Sequence, residues 1–227
     1  MKYFVFGLVA MLGLLSAPAI AQNLIVNGGF ENEPNYSGSI GYSVFTGSQI
    51  PGWTVEPGTA VTMHNNTIYP FISGTYSVNT DGEGSFGNNA NFYQDFASVN
   101  GQQYQLDYDW QLWTANAVPH LDVSVTDTVT SVVLYSGNFA AAAGTHHVTA
   151  LFAGSGNPLR LRVRENPQSG INDNTFIVDN FAVTLASSTQ LGGANSAPTL
   201  SQWAVTLLVC ALAWMGVTRV RRARGSK

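Results

Sequence analysis

Short strand-like runs, punctuated at close intervals by turn residues, constrain this chain more than any other feature. Along Gln103–Trp113, Tyr104, Leu106, Tyr108, Trp110 and Leu112 alternate with Gln103, Gln105, Asp107, Asp109 and Gln111. A period of two places the apolar set on one face of a β-strand and the polar set on the other. The run Leu159–Arg164 repeats the pattern, with Leu159, Leu161 and Val163 facing one way and Arg160, Arg162 and Arg164 the other. Further strands are predicted at Leu24–Val26, Tyr42–Thr46, Trp53–Glu56, Ala60–His64, Thr75–Asn79, Asn91–Phe96, Leu121–Thr126, Val129–Ser136, His146–Phe152 and Phe176–Leu185. Between them lie Asn27-Gly28-Gly29, Pro57-Gly58, Asp81-Gly82, Asn100-Gly101 and Gly154-Ser155-Gly156, residues that favour turns. No amphipathic helical period intervenes, so the expected fold is all-β, an antiparallel β-sandwich.

The two ends read as addresses. Lys2, the apolar run Tyr3–Leu15 and the small-residue pattern Ala19-Ile20-Ala21 have the three parts of a signal peptide cleaved before Gln22. At the other end Pro198, Thr199, Leu200, Ser201 and Trp203 lead into an apolar stretch, followed by Arg219, Arg221, Arg222, Arg224 and Lys227. Counted from Leu200 to Val220, that stretch makes a helix of roughly 31 Å at about 1.5 Å per residue, a match for the ~30 Å hydrocarbon core. The basic cluster belongs on the cytoplasmic side, leaving the preceding domain outside. The expected divisions are a signal peptide at 1–21, a β-sandwich domain at 22–185, a flexible linker at 186–197 and a sorting segment with a transmembrane helix at 198–227.

Motif, span and basic cluster together resemble the IPTL-CTERM sorting signal. That resemblance implies a Gram-negative exporter, an inner-membrane precursor, recognition by an exosortase, and delivery to the cell surface or extracellular matrix.

Charge narrows the function classes. Of nine basic residues only Arg160, Arg162 and Arg164 fall between the addresses, whereas all thirteen acidic residues do. Nucleic acid is a poor partner for such a domain, because phosphate binding requires a basic footprint. An acidic surface without lysine suits a soluble exported protein and is compatible with divalent cations. Cys210, the only cysteine, lies in the apolar tail. The domain therefore has no disulfide, thiolate nucleophile or zinc–thiolate site.

Asn23-Leu24-Ile25-Val26-Asn27-Gly28-Gly29-Phe30-Glu31, Pro51-Gly52-Trp53, Tyr93-Gln94-Asp95-Phe96, Val99 to Leu106 and Val178-Asp179-Asn180-Phe181 occur in the order found in choice-of-anchor C and related galactose-binding-like jelly rolls. The chain resembles that group, which includes carbohydrate-binding modules. The resemblance implies a structural calcium ion held by Glu31, Asp179 and a carbonyl at Gly29. Calcium takes six to eight oxygens, carboxylate and carbonyl together. The bland alternative leaves Glu31 solvated and Asp179 capping a turn.

Sugar binding calls for an aromatic platform with amides and carboxylates around it. The candidates are Trp113 and Tyr93, with Asp95, Asn79 and Asp81 as polar partners. Each has a structural alternative, and Trp53, after Pro51-Gly52, is expected in the core. The arginine row is expected to pair across strands with Asp107 and Asp109. Catalysis finds little support: His146 and His147 are adjacent and face opposite sides of a strand, and paired carboxylates such as Asp107 and Asp109 share a face at a separation compatible with glycoside hydrolysis but sit in no recognisable motif. The reading is an exported, non-enzymatic surface protein binding exopolysaccharide. The alternatives are an adhesive or structural protein that binds other proteins, and a glycosidase.

Overall fold

A computed structural model describes residues 22–33, 35–37, 41–67, 71–82, 90–115, 119–140, 142–167 and 174–186. The signal peptide, linker, transmembrane helix and sorting motif expected from sequence lie outside them. Among the described residues every regular element is a strand: β1 Tyr42–Phe45, β2 Thr54–Val55, β3 Val61–Asn65, β4 Tyr76–Asn79, β5 Asn91–Phe96, β6 Gln103–Ala115, β7 Pro119–Asp127, β8 Val133–Ala140, β9 Thr145–Ala153, β10 Leu159–Pro167 and β11 Asn174–Leu185. They form two antiparallel sheets, one of six strands in the order β1-β3-β4-β11-β6-β9 and one of five in the order β2-β5-β10-β7-β8.

The alternation in the sequence sets the inner faces. Leu106 and Tyr108 of β6 meet Leu159, Leu161 and Val163 of β10 and Val123 and Val125 of β7 in one buried cluster. All of that cluster lies between Ile25 and Val183, so the domain carries its own core. Trp53 is fully buried and donates its indole N–H to the Asn27 carbonyl at 3.1 Å. Its ring packs against Phe30, Phe92 and Phe181 with centroids 5.3–5.4 Å away.

A β-bulge in β11, between Asp179 and Ala182, shapes the edge of this cluster. Asn180 takes a left-handed φ of 57° there, a conformation asparagine tolerates better than most residues. The extra residue sends Phe181 inward while Asp179 stays on the outer side. Phe181 donates its backbone N–H to the Gly28 carbonyl at 2.9 Å. A Cβ at Gly28 would lie 1.8 Å from the Phe181 carbonyl oxygen, so only glycine fits.

Two expected strands differ. Leu24–Val26 is not a strand: Leu24 donates its N–H to the Val183 carbonyl at 2.8 Å, but side chains take over the bonds that follow. The Asn23 amide oxygen accepts from Ile25 and Val183, and Gln94 clamps Val26 by both its N–H and its carbonyl at 2.7 and 2.9 Å. Val129–Val132 forms a turn before β8 instead of starting it. There the Asp127 carboxylate accepts the N–H groups of Val129 and Thr130, each at 2.8 Å. This local bond outcompetes the β-propensity of the valines. Hydrogen bonds from Ser155, Thr130 and Asn157 hold the Asp127 carboxyl well below its usual range.

Three other carboxyls are displaced the opposite way. Glu165 ends the inward series on β10 and accepts from the Thr80 hydroxyl at 2.7 Å. Burial pushes it up to about 8, and burial likewise raises Asp179 and Glu33 to about 7. In the folded state these groups keep protons that the unfolded chain has released at the same pH. Their contribution is complete below pH ~4 and lost as pH rises through about 7 to 8. Urea denaturation of the 22–196 fragment should show stability falling by on the order of 3 kcal/mol from pH 5 to pH 9, and Glu165→Gln should flatten part of that slope.

Candidate functional site

Period-two alternation delivers all three arginines of the domain to the outer face of the five-stranded sheet, in a row along β10. Arg160 stands opposite Asp95 on β5, Arg162 opposite Tyr93, and Arg164 opposite Asp122 on β7. The Arg160 guanidinium grips Asp95 through two bonds of 2.7 and 2.9 Å and lies 3.6 Å from the centre of the Tyr93 ring. Arg162 donates to Glu56 at 2.9 Å and Arg164 to Asp122 at 2.7 Å. Asn138 on β8 also donates to Asp122.

Each cation thus has an anion beside it, and the row is close to neutral. Partly exposed pairs of this kind contribute at most about 1 kcal/mol each, so their N–H groups and carboxylate oxygens remain accessible to a ligand. Two open depressions border the row. One, of about 370 Å³, is lined by Thr126, Asp127, Thr128, Ser131, Arg160 and Arg162. The other, of about 310 Å³, includes Ser124, Ser136, Asn138, Arg162 and Arg164. Arg162 is common to both.

The outer face of the six-stranded sheet differs. Trp113 is half-buried, its ring edge-on to the buried His64 with centroids 4.9 Å apart. The Asn79 amide lies 3.1 Å from the His64 Nε2. Asp81 follows at the end of β4, its N–H donated to the Asn79 amide oxygen at 2.8 Å. Of the sequence candidates, then, Tyr93 and Asp95 meet on one sheet while Trp113, Asn79 and Asp81 gather on the other. A single sugar face containing both Trp113 and Tyr93 is not formed, because their strands belong to opposite layers.

The expected pairing of the arginines with Asp107 and Asp109 is also corrected. Those aspartates lie on β6, in the six-stranded sheet, and His147 of β9 joins them. Its Nδ1 is 2.7 Å from Asp109 and its Nε2 is 3.6 Å from Asp107. Thr149, His147 and Asp109 follow the hydroxyl–imidazole–carboxylate order of a nucleophilic site, with Thr149 Oγ1 3.2 Å from Nε2. However, that hydroxyl donates its one proton to Asp107 at 2.7 Å. The imidazole therefore does not activate it. His146 faces the opposite way and stacks on Trp110 at 4.3 Å.

Gly29, Glu31 and Asp179 come to one corner. A Cβ on Gly29 would lie 3.9 Å from Asp179 Oδ1 and 3.7 Å from the Asn180 amide oxygen. Asp179 is buried and accepts from Ser73, from the Ser77 hydroxyl at 2.9 Å and from the Asn180 N–H at 2.7 Å. Glu31 accepts the N–H groups of Thr75 and Tyr76 at 2.8 and 3.2 Å. Both acids hold the same segment, residues 73–77. Among the described residues no three His, Cys, Asp or Glu side chains converge as a metal cage. An ion at this corner would rest on two carboxylates completed by carbonyl, amide or hydroxyl oxygens.

These features define a β-sandwich with a charged but balanced sheet face. Residues 23–184 match the family model described as a protein of unknown function, DUF642, and the chain belongs to that family. Residues 195–222 match the IPTL-CTERM motif. No curated protein matches the chain. Among solved structures it is similar to an arabinose-bound GH51 α-L-arabinofuranosidase, at 12% identity and a TM-score of 0.49. That match covers 72% of this chain and 26% of the enzyme, about a quarter of its length. It is also similar to a family 16 carbohydrate-binding module, at 18% identity and a TM-score of 0.43, covering 71% of this chain and 99% of that one. The xylan-binding CBM22-1 domain of Paenibacillus barcinonensis Xyn10C gives 12% identity and a TM-score of 0.43, covering 63% and 90%.

Glu56, Asp122, Ser124 and Thr126, which pair with the arginine row or line the depressions beside it, were not singled out in the sequence. The Leu-Arg-Leu-Arg-Val-Arg alternation was the available signal.

If Asp179 anchors the neighbouring loop, Asp179→Ala should raise amide hydrogen exchange across residues 71–77 at least tenfold, an opening cost of about 1.4 kcal/mol or more. The β10 strand should keep its protection.

Proposed function

We propose that this domain is a non-enzymatic glycan-binding module carried by an exported cell-surface protein, with the glycan lying along the arginine row of the five-stranded sheet. The carrying observation is the pair of depressions that share Arg162. Sugar hydroxyls donate and accept at once, and their sites combine fixed donors with fixed acceptors. Guanidinium N–H groups alternate here with Asp95, Glu56 and Asp122, and Ser124, Thr126 and Ser136 add hydroxyls. Adjacent, open depressions suit neighbouring units of an extended chain entering from the side. Near-neutrality of the row favours uncharged hexoses or pentoses over uronates, which the surrounding acidic surface would repel.

The C-terminal motif supports export and sorting of the precursor by an exosortase, from an inner-membrane intermediate in a Gram-negative host. The polysaccharide is then an extracellular one.

Calorimetric titration of the 22–196 fragment with neutral bacterial and plant polysaccharides tests the glycan reading. Arg162→Ala should weaken binding at least tenfold, about 1.4 kcal/mol, whereas Trp113→Ala should leave it unchanged. Absence of binding to every glycan, or loss only with Trp113→Ala, would remove this site.

We propose in addition that a calcium ion sits at the corner of Gly29, Glu31 and Asp179. Among the described residues no cation stands beside the buried Asp179 carboxyl, and burial raises its proton affinity. A cation there would stabilise the ionised form. At pH 8, millimolar calcium should raise the melting temperature by several degrees, on the order of 1 kcal/mol or more, and chelator should reverse it. Asp179→Ala should respond to neither; identical melting curves for the native fragment in calcium and chelator would exclude the ion.

A further inference from the structure

The two flanks of the sandwich are protected unequally. On one flank the sheets end in β1 and β2, of four and two residues. Short edges offer little for another strand to pair with. On the opposite flank they end in β8 and β9, of eight and nine residues. Between Asp127 and Arg160 there is no Asp, Glu, Lys or Arg, so both long edges lack the charges that keep exposed strands apart. A register irregularity interrupts β8 near its start, whereas β9 runs unbroken beside β6 from Gln111↔Thr145 to Gln103↔Ala153. Among the described residues β9 therefore presents the longest regular edge, with its outer row of backbone groups facing away from β6.

We propose that β9 is a self-association surface, on which a second copy of this chain adds its own β9 antiparallel across a two-fold axis. The occupant follows from charge and register. The domain is strongly acidic, so copies repel one another over most of their surface, and this flank is the exception. Centring the pair on Thr149 sets Thr149 against Thr149 and His147 against Leu151, all on the outer face. Leu151 is 44% exposed and His147 61% exposed on its side chain, so each leucine is covered by an imidazole ring of the other copy and each ring by a leucine. The nearest fixed anions, Asp107 and Asp109, sit one strand inward. Across the new pair the two β6 strands are three strand spacings apart, roughly 14 Å, beyond the ~8–10 Å screening length at physiological salt. Backbone hydrogen bonds then form without bringing like charges together, and a C2 interface closes on itself.

Light scattering coupled to size-exclusion chromatography of the 22–196 fragment, without glycan, is expected to show a concentration-dependent dimer. Leu151→Lys should raise its dissociation constant at least tenfold, whereas Val129→Lys, in the β7–β8 turn, should leave it unchanged. The fragment lacks cysteine, so Thr149→Cys should oxidise to a disulfide-linked dimer while Val129→Cys should not; this pair decides the matter if Leu151→Lys does not fold. A strictly monomeric native fragment up to millimolar concentration, a dimer indifferent to Leu151→Lys, or equal cross-linking at both cysteines would overturn the proposal. Arg162→Ala should lose glycan and keep the dimer, which separates this outcome from that of the sugar site.

Discussion

The contact between Gly28 and Phe181 organises this domain. The bulge in β11 turns Phe181 into the core and presents its backbone to the Asn27–Phe30 segment, which can approach only because Gly28 has no side chain. Once seated, that segment brings Phe30 against Trp53 and Phe181 and gives the Trp53 indole its hydrogen-bond partner. The same bulge leaves Asp179 on the outer side, where it holds the residues leading into β4. One irregular step in a strand thereby ties the inner core to an outer loop.

Much of this was legible in the sequence. The alternations in β6 and β10 gave correct inner and outer faces, because a period of two admits only one burial solution once one face is apolar. Trp53 was expected in the core and is there. Failures came where side chains replaced backbone partners: Gln94 at Val26 and Asp127 at Val129 are local competitions that hydrophobic patterning does not register. The matching of partners across strands failed for a different reason. Facing within a strand is written in the sequence, but neighbouring strands and layers are not. Asp107 and Asp109 were matched to the arginines by charge alone, and topology instead supplied Asp95, Glu56 and Asp122.

The two outer faces also distribute charge differently. On the five-stranded sheet each cation is met by an anion from another strand, giving a balanced polar surface suited to a ligand with many hydroxyls. On the six-stranded sheet, two aspartates share one imidazole, Asp179 is buried among hydroxyl and N–H donors, and further polarity is carried by amides and hydroxyls such as Asn79, Gln105 and Thr149. An acidic domain can in this way keep one sheet face close to neutral.

The lack of lysine has a consequence for survival outside the cell. Between Gln22 and Ala186 a trypsin-like protease would find only Arg160, Arg162 and Arg164 as cleavage points. All three are on β10, which is hydrogen-bonded on both sides by β5 and β7. Such enzymes need an extended, unpaired stretch of backbone in their cleft, so the folded domain shows them nothing to cut. Reagents and cross-linking enzymes that act on primary side-chain amines likewise meet no target within it.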